Sequence, residues 1–307
     1  MLKLPSGVVR LYGLETLDLR DTHIEELPTG IIQLVKLQHL LIARYPYFDT
    51  ALGEMKIPNG IGTMKNLQAI SGFNIMKSSL CAVEELGDLT GLKELHLQLD
   101  GGGSQEYKRH EEMLLSSLCK LGAYKLQSLR LHSPDSTPIQ FLESWSPLPY
   151  NLQIFWMTTN YDLPKLPKWI VPALTSLAYL NINLIEATEE DLQILGHMPA
   201  LLCLSITIGT VQKERLTVQG VGFLCLKEFS LICDYYVKSA IYLTFKERAL
   251  PKLEKLELPF FVLVAEAYGF YLGLGHLPCL RDAEVTLCDD DDTSYESNSA
   301  AAAAIRN

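Results

Sequence analysis

The sequence predicts an α/β fold of one kind, a horseshoe-shaped solenoid. One short parallel strand per repeat lines a concave sheet, and irregular loops and short helices cover the convex side. Three observations predict it. Residues 14–42, LETLDLRDTHIEELPTGIIQLVKLQHLLI, hold Leu14, Leu17 and Leu19, then Ile24, Leu27, Pro28, Ile31 and Leu34, and open again at Leu37, Leu40 and Ile42, 23 residues later. The same L-x-x-L-x-L head, with other apolar residues in its later slots, begins at Leu14, Leu37, Leu67, Leu92, Leu126, Leu152, Leu177, Leu201, Leu226, Leu253 and Leu280. The spacing stays between 23 and 34 residues throughout. A head of this form at a period of 20–29 residues is the leucine-rich repeat pattern, in which each unit buries its leucines only against a neighbour.

The elements follow in order. Leu4, Pro5, Gly7, Val8 and Leu11 repeat the pattern of Leu27, Pro28, Gly30, Ile31 and Leu34. Met1 thus opens inside a repeat with no polar cap, which predicts an N-terminus that cuts through a longer array. The 30-residue gap after Leu37 holds an aromatic loop, Tyr45-Pro46-Tyr47-Phe48. The 34-residue gap after Leu92 holds a Gly101–Gly103 linker and an amphipathic run from about Glu106 to Leu121, with Met113, Leu114, Leu118 and Leu121 on one helical face. Shorter helices are predicted at Ser79–Leu86 and at Thr188–Leu195, where T-E-E-D opens like a capping box. Proline stands just before the heads at Leu201, Leu253 and Leu280, where its fixed φ and missing N–H stop the convex segment. The domain organisation is therefore one repeat domain of about eleven repeats over residues 1–288, followed by a disordered Asp-, Ser- and Ala-rich tail over 289–307.

Composition narrows function. The net charge of −10 argues against nucleic acid, which needs a basic stripe. The seven cysteines show no C-x-x-C pair; Cys203, Cys225, Cys233 and Cys279 fall within or beside apolar strand patterns, as small hydrophobes do. With no N-x-[ST] sequon and no signal peptide at Met1, a reducing, cytoplasmic setting is expected. The longest apolar stretch, Phe260 to Leu274, carries Glu266 and is too short for a membrane span, so it reads as a buried repeat segment. No phosphate loop, H-E-x-x-H, G-x-S-x-G or zinc-type Cys/His spacing occurs. No enzyme activity, metal or cofactor is expected.

Binding is expected on the concave face. Leucines of each strand point to the core, and the residues between them point outward. The outward set includes Asp18, Arg20, His39, Arg44, Phe73, Glu94, His96, Arg130 and His132 early, Ile154, Trp156, Tyr179, Asn181 and Asn183 in the middle, and Glu228, Ile232, Lys255, Glu257, Asp282 and Glu284 late. The face thus drifts from basic through aromatic and polar to acidic. Trp156 and Tyr179, on consecutive strands, are the candidate anchors, because aromatic residues and Arg dominate interface hot spots. Trp169 belongs to a convex segment and reads as packing.

The wording of the repeats is narrower than the pattern. LETLDLRDTHIEELPTGIIQLVKLQHLL, IPNGIGTMKNLQAIS, LPKWIVPALTSLAYLNI and EEDLQILGHMPALLCLSI resemble the leucine-rich repeat region of plant intracellular NB-ARC–LRR disease-resistance proteins, the coiled-coil class of grasses in particular. The resemblance implies a module that senses a pathogen effector or a modified host protein and holds an adjoining nucleotide-binding module inactive. It also implies two kinds of partner: the effector or guarded host protein, and that nucleotide-binding module, in the same chain or another. Two other classes fit less well. A uniform intracellular repeat scaffold would keep a steadier period, and a ubiquitin-ligase substrate adaptor would need an F-box-like helical module.

Overall fold

The computed structural model describes residues 2–42, 55–99, 105–133, 138–209, 215–233, 242–266 and 269–288. The expectations for Arg44, the aromatic segment at 45–48, the glycine linker and the 289–307 tail fall outside these residues. The chain divides into two compact units, Met1–Tyr161 and Asp162–Asn307.

The first unit holds strands β1 (Leu2–Lys3), β2 (Thr16–Asp18), β3 (Ile24–Glu26), β4 (His39–Leu41), β5 (Ala69–Asn74), β6 (Glu94–Gln98), β7 (Ser128–Ser133) and β8 (Ile154–Thr159), with helices α1 (Leu80–Glu85) and α2 (Gln105–Ala123). Strands β2, β4, β5, β6, β7 and β8 pair in parallel in that order, while β1 pairs with β3 apart from them. The second unit holds β9 (Tyr179–Leu184), β10 (Cys203–Ile208), β11 (Arg215–Val218), β12 (Glu228–Cys233), β13 (Tyr242–Phe245), β14 (Lys255–Phe261) and β15 (Asp282–Cys288), with α3 (Glu189–Gly196) and α4 (Val262–Glu266). Here β9, β10, β12, β14 and β15 form a parallel ladder, and β11 pairs with β13.

Every ladder strand begins two residues after one of the eleven head leucines, including the loosest matches at Leu67 and Leu280. The cause is burial: nine head leucines are at most 1% exposed, and Leu14 and Leu280, beside the outermost strands, are half-buried. Sequence order, register and core position are therefore one fact, because an apolar residue at a fixed slot packs only against its equivalents in the neighbouring repeats. The convex side repeats too. Short 3-10 helices at Ser6–Arg10 and Thr29–Gln33 follow Pro5 and Pro28, 23 residues apart.

One strand of the first unit's ladder breaks register. Between Ser71 and Phe73 the β5–β6 ladder shifts, and Gly72 has φ 87. A glycine inside a strand marks such bulges. The extra residue turns Phe73 inward, where it is 0% exposed, so its expected place on the outward face is corrected: Ser71 takes that row, opposite His96.

The helices form where their caps and faces predict. Ser79 accepts the N–H of Ala82 at the start of α1. Thr188 and Asp191 make a reciprocal capping box on α3. Helix α2 buries Leu114, Leu118 and Leu121, and its Ser117 hydroxyl donates to the Val83 carbonyl at 2.8 Å, fastening it to α1. The 260–274 stretch buries Phe260, Val262, Ala265 and Leu272 beside Tyr242, although Tyr271 is 56% exposed. Trp169 is buried, as expected of packing. Cys203, Cys225 and Cys233 are half-buried, but Cys279 is exposed, because it stands in the turn before its strand and not within it.

Candidate recognition face

Parallel pairing fixes which outward side chains are neighbours. In the first unit Ser71, His96, Arg130 and Trp156 share one row, and Gln98, His132 and Thr158 share the next. The Arg130 guanidinium carbon lies 6.0 Å from the centroid of the Trp156 ring, a cation–π arrangement that holds both side chains in place. Both are half-buried. His96 departs from the expectation of an exposed residue: it is only 8% exposed. Burial, with His132 and Arg130 beside it, pushes its pKa down to about 4, so the ring is neutral at physiological pH. Burial also lowers the pKa of His132, against a main-chain contact from Thr158. The adjoining Gln98 side chain is buried, with its Oε1 accepting no hydrogen bond. The arrangement offers one permanent cation braced on an aromatic ring, within a neutral polar surround.

The early strands are less basic than their sequence implies. Arg20, two residues beyond β2, forms a forked ion pair with Asp18, its Nε donating to Oδ1 at 2.8 Å and its Nη2 to Oδ2 at 2.5 Å. Glu94 is exposed at the start of β6. His39 is half-buried, its Nδ1 3.1 Å from the Thr16 hydroxyl. Of the cations expected on this face, Arg130 remains the prominent one.

The second unit presents a different face. Tyr179 is 41% exposed in β9. Asn181 is half-buried with its Oδ1 unbonded, and its neighbours Asn183 and Ser205 are nearly covered. Glu228 is exposed beside Cys203, whose thiol is pushed up to about 11 by burial and by that carboxylate. Ser230 donates to Glu257 at 2.6 Å, and Glu257 pairs in register with Glu284. This face is acidic and polar, as the late outward residues imply. Trp156 closes the first ladder and Tyr179 opens the second, so each candidate anchor belongs to its own unit. Among the described residues, no group of three or more His, Cys, Asp or Glu side chains is placed to hold a metal ion, and no helix is long and apolar enough to cross a membrane.

The family model for a leucine-rich repeat region matches residues 1–307. The chain belongs to the leucine-rich repeat region family. The relatives of this leucine-rich repeat region are plant resistance proteins. It is 28% identical to disease resistance protein RGA5 of Oryza sativa subsp. japonica over all of this chain and 26% of that protein. It is 27% identical to disease resistance protein Pik-2 of the same rice, over 94% of this chain and 31% of that protein. It is 29% identical to disease resistance protein PIK6-NP, again from that rice, over 94% of this chain and 30% of that protein. The chain thus spans about a quarter to a third of the length of these relatives. The resemblance read from the repeat wording holds across the chain.

Proposed function

We propose that this leucine-rich repeat region is a non-catalytic protein-recognition module of a plant innate-immune receptor acting in the cytoplasm. In this reading it senses a pathogen effector or a modified host protein and restrains a nucleotide-binding module until then. The observation that carries it is the match to rice disease resistance proteins along the whole chain. The geometry adds an anchor of the right chemistry. Arg130 over Trp156 is a half-buried cation–aromatic pair, and Trp and Arg are enriched at interface hot spots.

Restraint is assigned to the early outward residues, chiefly Arg130, with His96 and His132 beside it and Arg20 and His39 toward the earlier strands. Ligand contact is assigned to Trp156, Tyr179, Asn181 and Glu228. The test is a pull-down of the nucleotide-binding module encoded with this repeat region, using Arg130→Glu and Arg20→Glu. Arg130→Glu is expected to weaken capture at least tenfold. Arg20→Glu has a smaller effect, because Asp18 already offsets that charge. Equal capture by wild type and Arg130→Glu would sink the assignment of restraint to this face.

A further inference from the structure

The turns that lead into the strands carry a second surface, which the outward face does not include. Each turn of the first unit is closed by a head N–H donating back, as in Leu14 to Leu11, Leu37 to Leu34, Leu67 to Met64 and Leu152 to Pro149. The main-chain N–H of the residue after each head donates to the preceding repeat, as in Gln38 to Glu15, Gln68 to Gln38, Lys93 to Gln68 and Gln127 to Lys93. Equivalent turn residues are therefore stacked at strand spacing, about 4.8 Å per repeat. Asparagine side chains brace the stack: Asn66 donates to the Val35 carbonyl at 2.8 Å and Asn151 to the Tyr124 carbonyl at 2.7 Å.

Two residues before its head, this edge shows Tyr12 (60% exposed), Val35 (55%), Tyr124 (47%) and Tyr150 (56%). One recurring slot thus holds four of the first unit's large exposed apolar residues, which scattered surface hydrophobics would not do. Between the two apolar pairs run lysines. Four successive repeats each place one within two residues of the head leucine: Lys36, Lys65, Lys93 and Lys125. Among the described residues none of the four is in an ion pair. Lys65 donates to the Asp88 main-chain carbonyl at 2.7 Å and Lys93 to the Gln68 amide oxygen at 2.9 Å, contacts that aim the ammonium groups without cancelling their charge. The corresponding edge of the second unit differs, because Glu254 binds both Lys227 (3.3 Å) and Arg281 (3.5 Å).

We propose that the turn edge of the first unit is a docking surface for an acidic polypeptide segment flanked by apolar side chains. Charge complementarity sets the occupant: a lysine row with apolar ends, on a chain of net charge −10, fits carboxylates with apolar residues on either side. Three repeat spacings span about 14 Å, the reach of about five extended residues. A uniform polyanion fits less well, since Glu15 and Asp88 lie exposed on the same turns. This surface is separate from the Arg130–Trp156 face and does not depend on the role given to that face.

The test is selection of displayed random dodecapeptides on the intact chain, followed by affinity measurement of the enriched peptides. Enriched peptides are expected to hold a run of Asp or Glu with apolar or aromatic flanks. Their affinity should fall at least tenfold for the triple variant Lys36→Glu, Lys65→Glu, Lys125→Glu, and severalfold for Tyr124→Ser with Tyr150→Ser. Arg130→Gln with Trp156→Ala should leave it unchanged. All of these positions except Arg130 and Trp156 lie at exposed turns, and circular dichroism checks that each variant folds. Enrichment without acidic residues, affinity retained by the triple variant, or loss on changing Arg130 and Trp156 instead would each overturn the inference. So would tighter binding of a single-stranded DNA 12-mer or of phosphatidylserine vesicles. The last peptide outcome would leave the recognition face standing, which separates the two readings.

Discussion

The two units are built from one repeat pattern yet expose opposite electrostatics. In the first, the outward face holds a neutral buried His96 beside Arg130 on Trp156, and the turn edge holds lysines with neutral partners. In the second, the outward face gathers Glu228, Glu257 and Glu284, and at the turn edge Glu254 pairs Lys227 and Arg281. The core is the same in kind, with head leucines at most 1% exposed in every repeat except those of Leu14 and Leu280. The difference teaches that the repeat fixes where a side chain points, while the residues between the leucines are free to set each surface separately.

Core truncation is the strongest probe of that comparison. Leu131→Ala in β7 and Leu258→Ala in β14 each empty a buried site and are expected to cost about 2–5 kcal/mol. Urea unfolding followed by tryptophan fluorescence reads them, with Trp145 and Trp156 reporting on the first unit and Trp169 on the second. Two transitions, each moved by one substitution only, would make the units energetically independent. A single transition moved equally by both would break the comparison at the level of folding.

The next effect is confined to the first unit. His96 has a folded pKa of about 4, below the ordinary histidine value of 6.5, so the unfolded chain binds more protons between these values. Stability is therefore fully present above about pH 6.5 and lost as pH falls toward 4, with an upper size of about 3 kcal/mol. His96→Gln should flatten the acid limb of the first unit's unfolding profile and leave the second unit's unchanged. An equally steep limb in the variant would assign the proton uptake elsewhere.

Smaller effects come from the caps. Ser79→Ala on α1 and Thr188→Ala on α3 each remove a side-chain acceptor from a helix start and should cost about 1 kcal/mol, read by the same urea titration. The smallest stability effect carries the most information. Glu254→Gln releases Lys227 and Arg281 with a change under about 1 kcal/mol, because the pairs are partly exposed. It should also give the second unit's edge a measurable affinity for the acidic peptides selected on the first. No gain would mean that the apolar flanks, and not the lysine charges, decide docking.

Much of this was legible in the sequence because an apolar residue at a fixed period has one way to be buried. The eleven heads located eleven strands, the T-E-E-D opening located the α3 cap, and the heptad-like spacing after Glu106 located α2. Phe73 was misplaced because a one-residue bulge at Gly72 inverts every later side chain in that strand, and Gly72 was its only signal. The basic early face was overread because Arg20 and Asp18 are two apart in sequence, and only the fold of the turn brings their side chains together.

The turn edge is not legible in the sequence for another reason. Its residues are fixed in the sequence two places before each head leucine, but whether Tyr124 packs or stands exposed depends on what the neighbouring repeat places over it. By itself the sequence determined the repeat, the eleven ladder strands and the inward leucines, since each follows from period and burial, and the wording of the repeats carried the family resemblance. The tertiary structure alone decided that Arg20 is paired with Asp18 and which histidine is sheltered, because pairing and desolvation depend on distances that no linear spacing encodes.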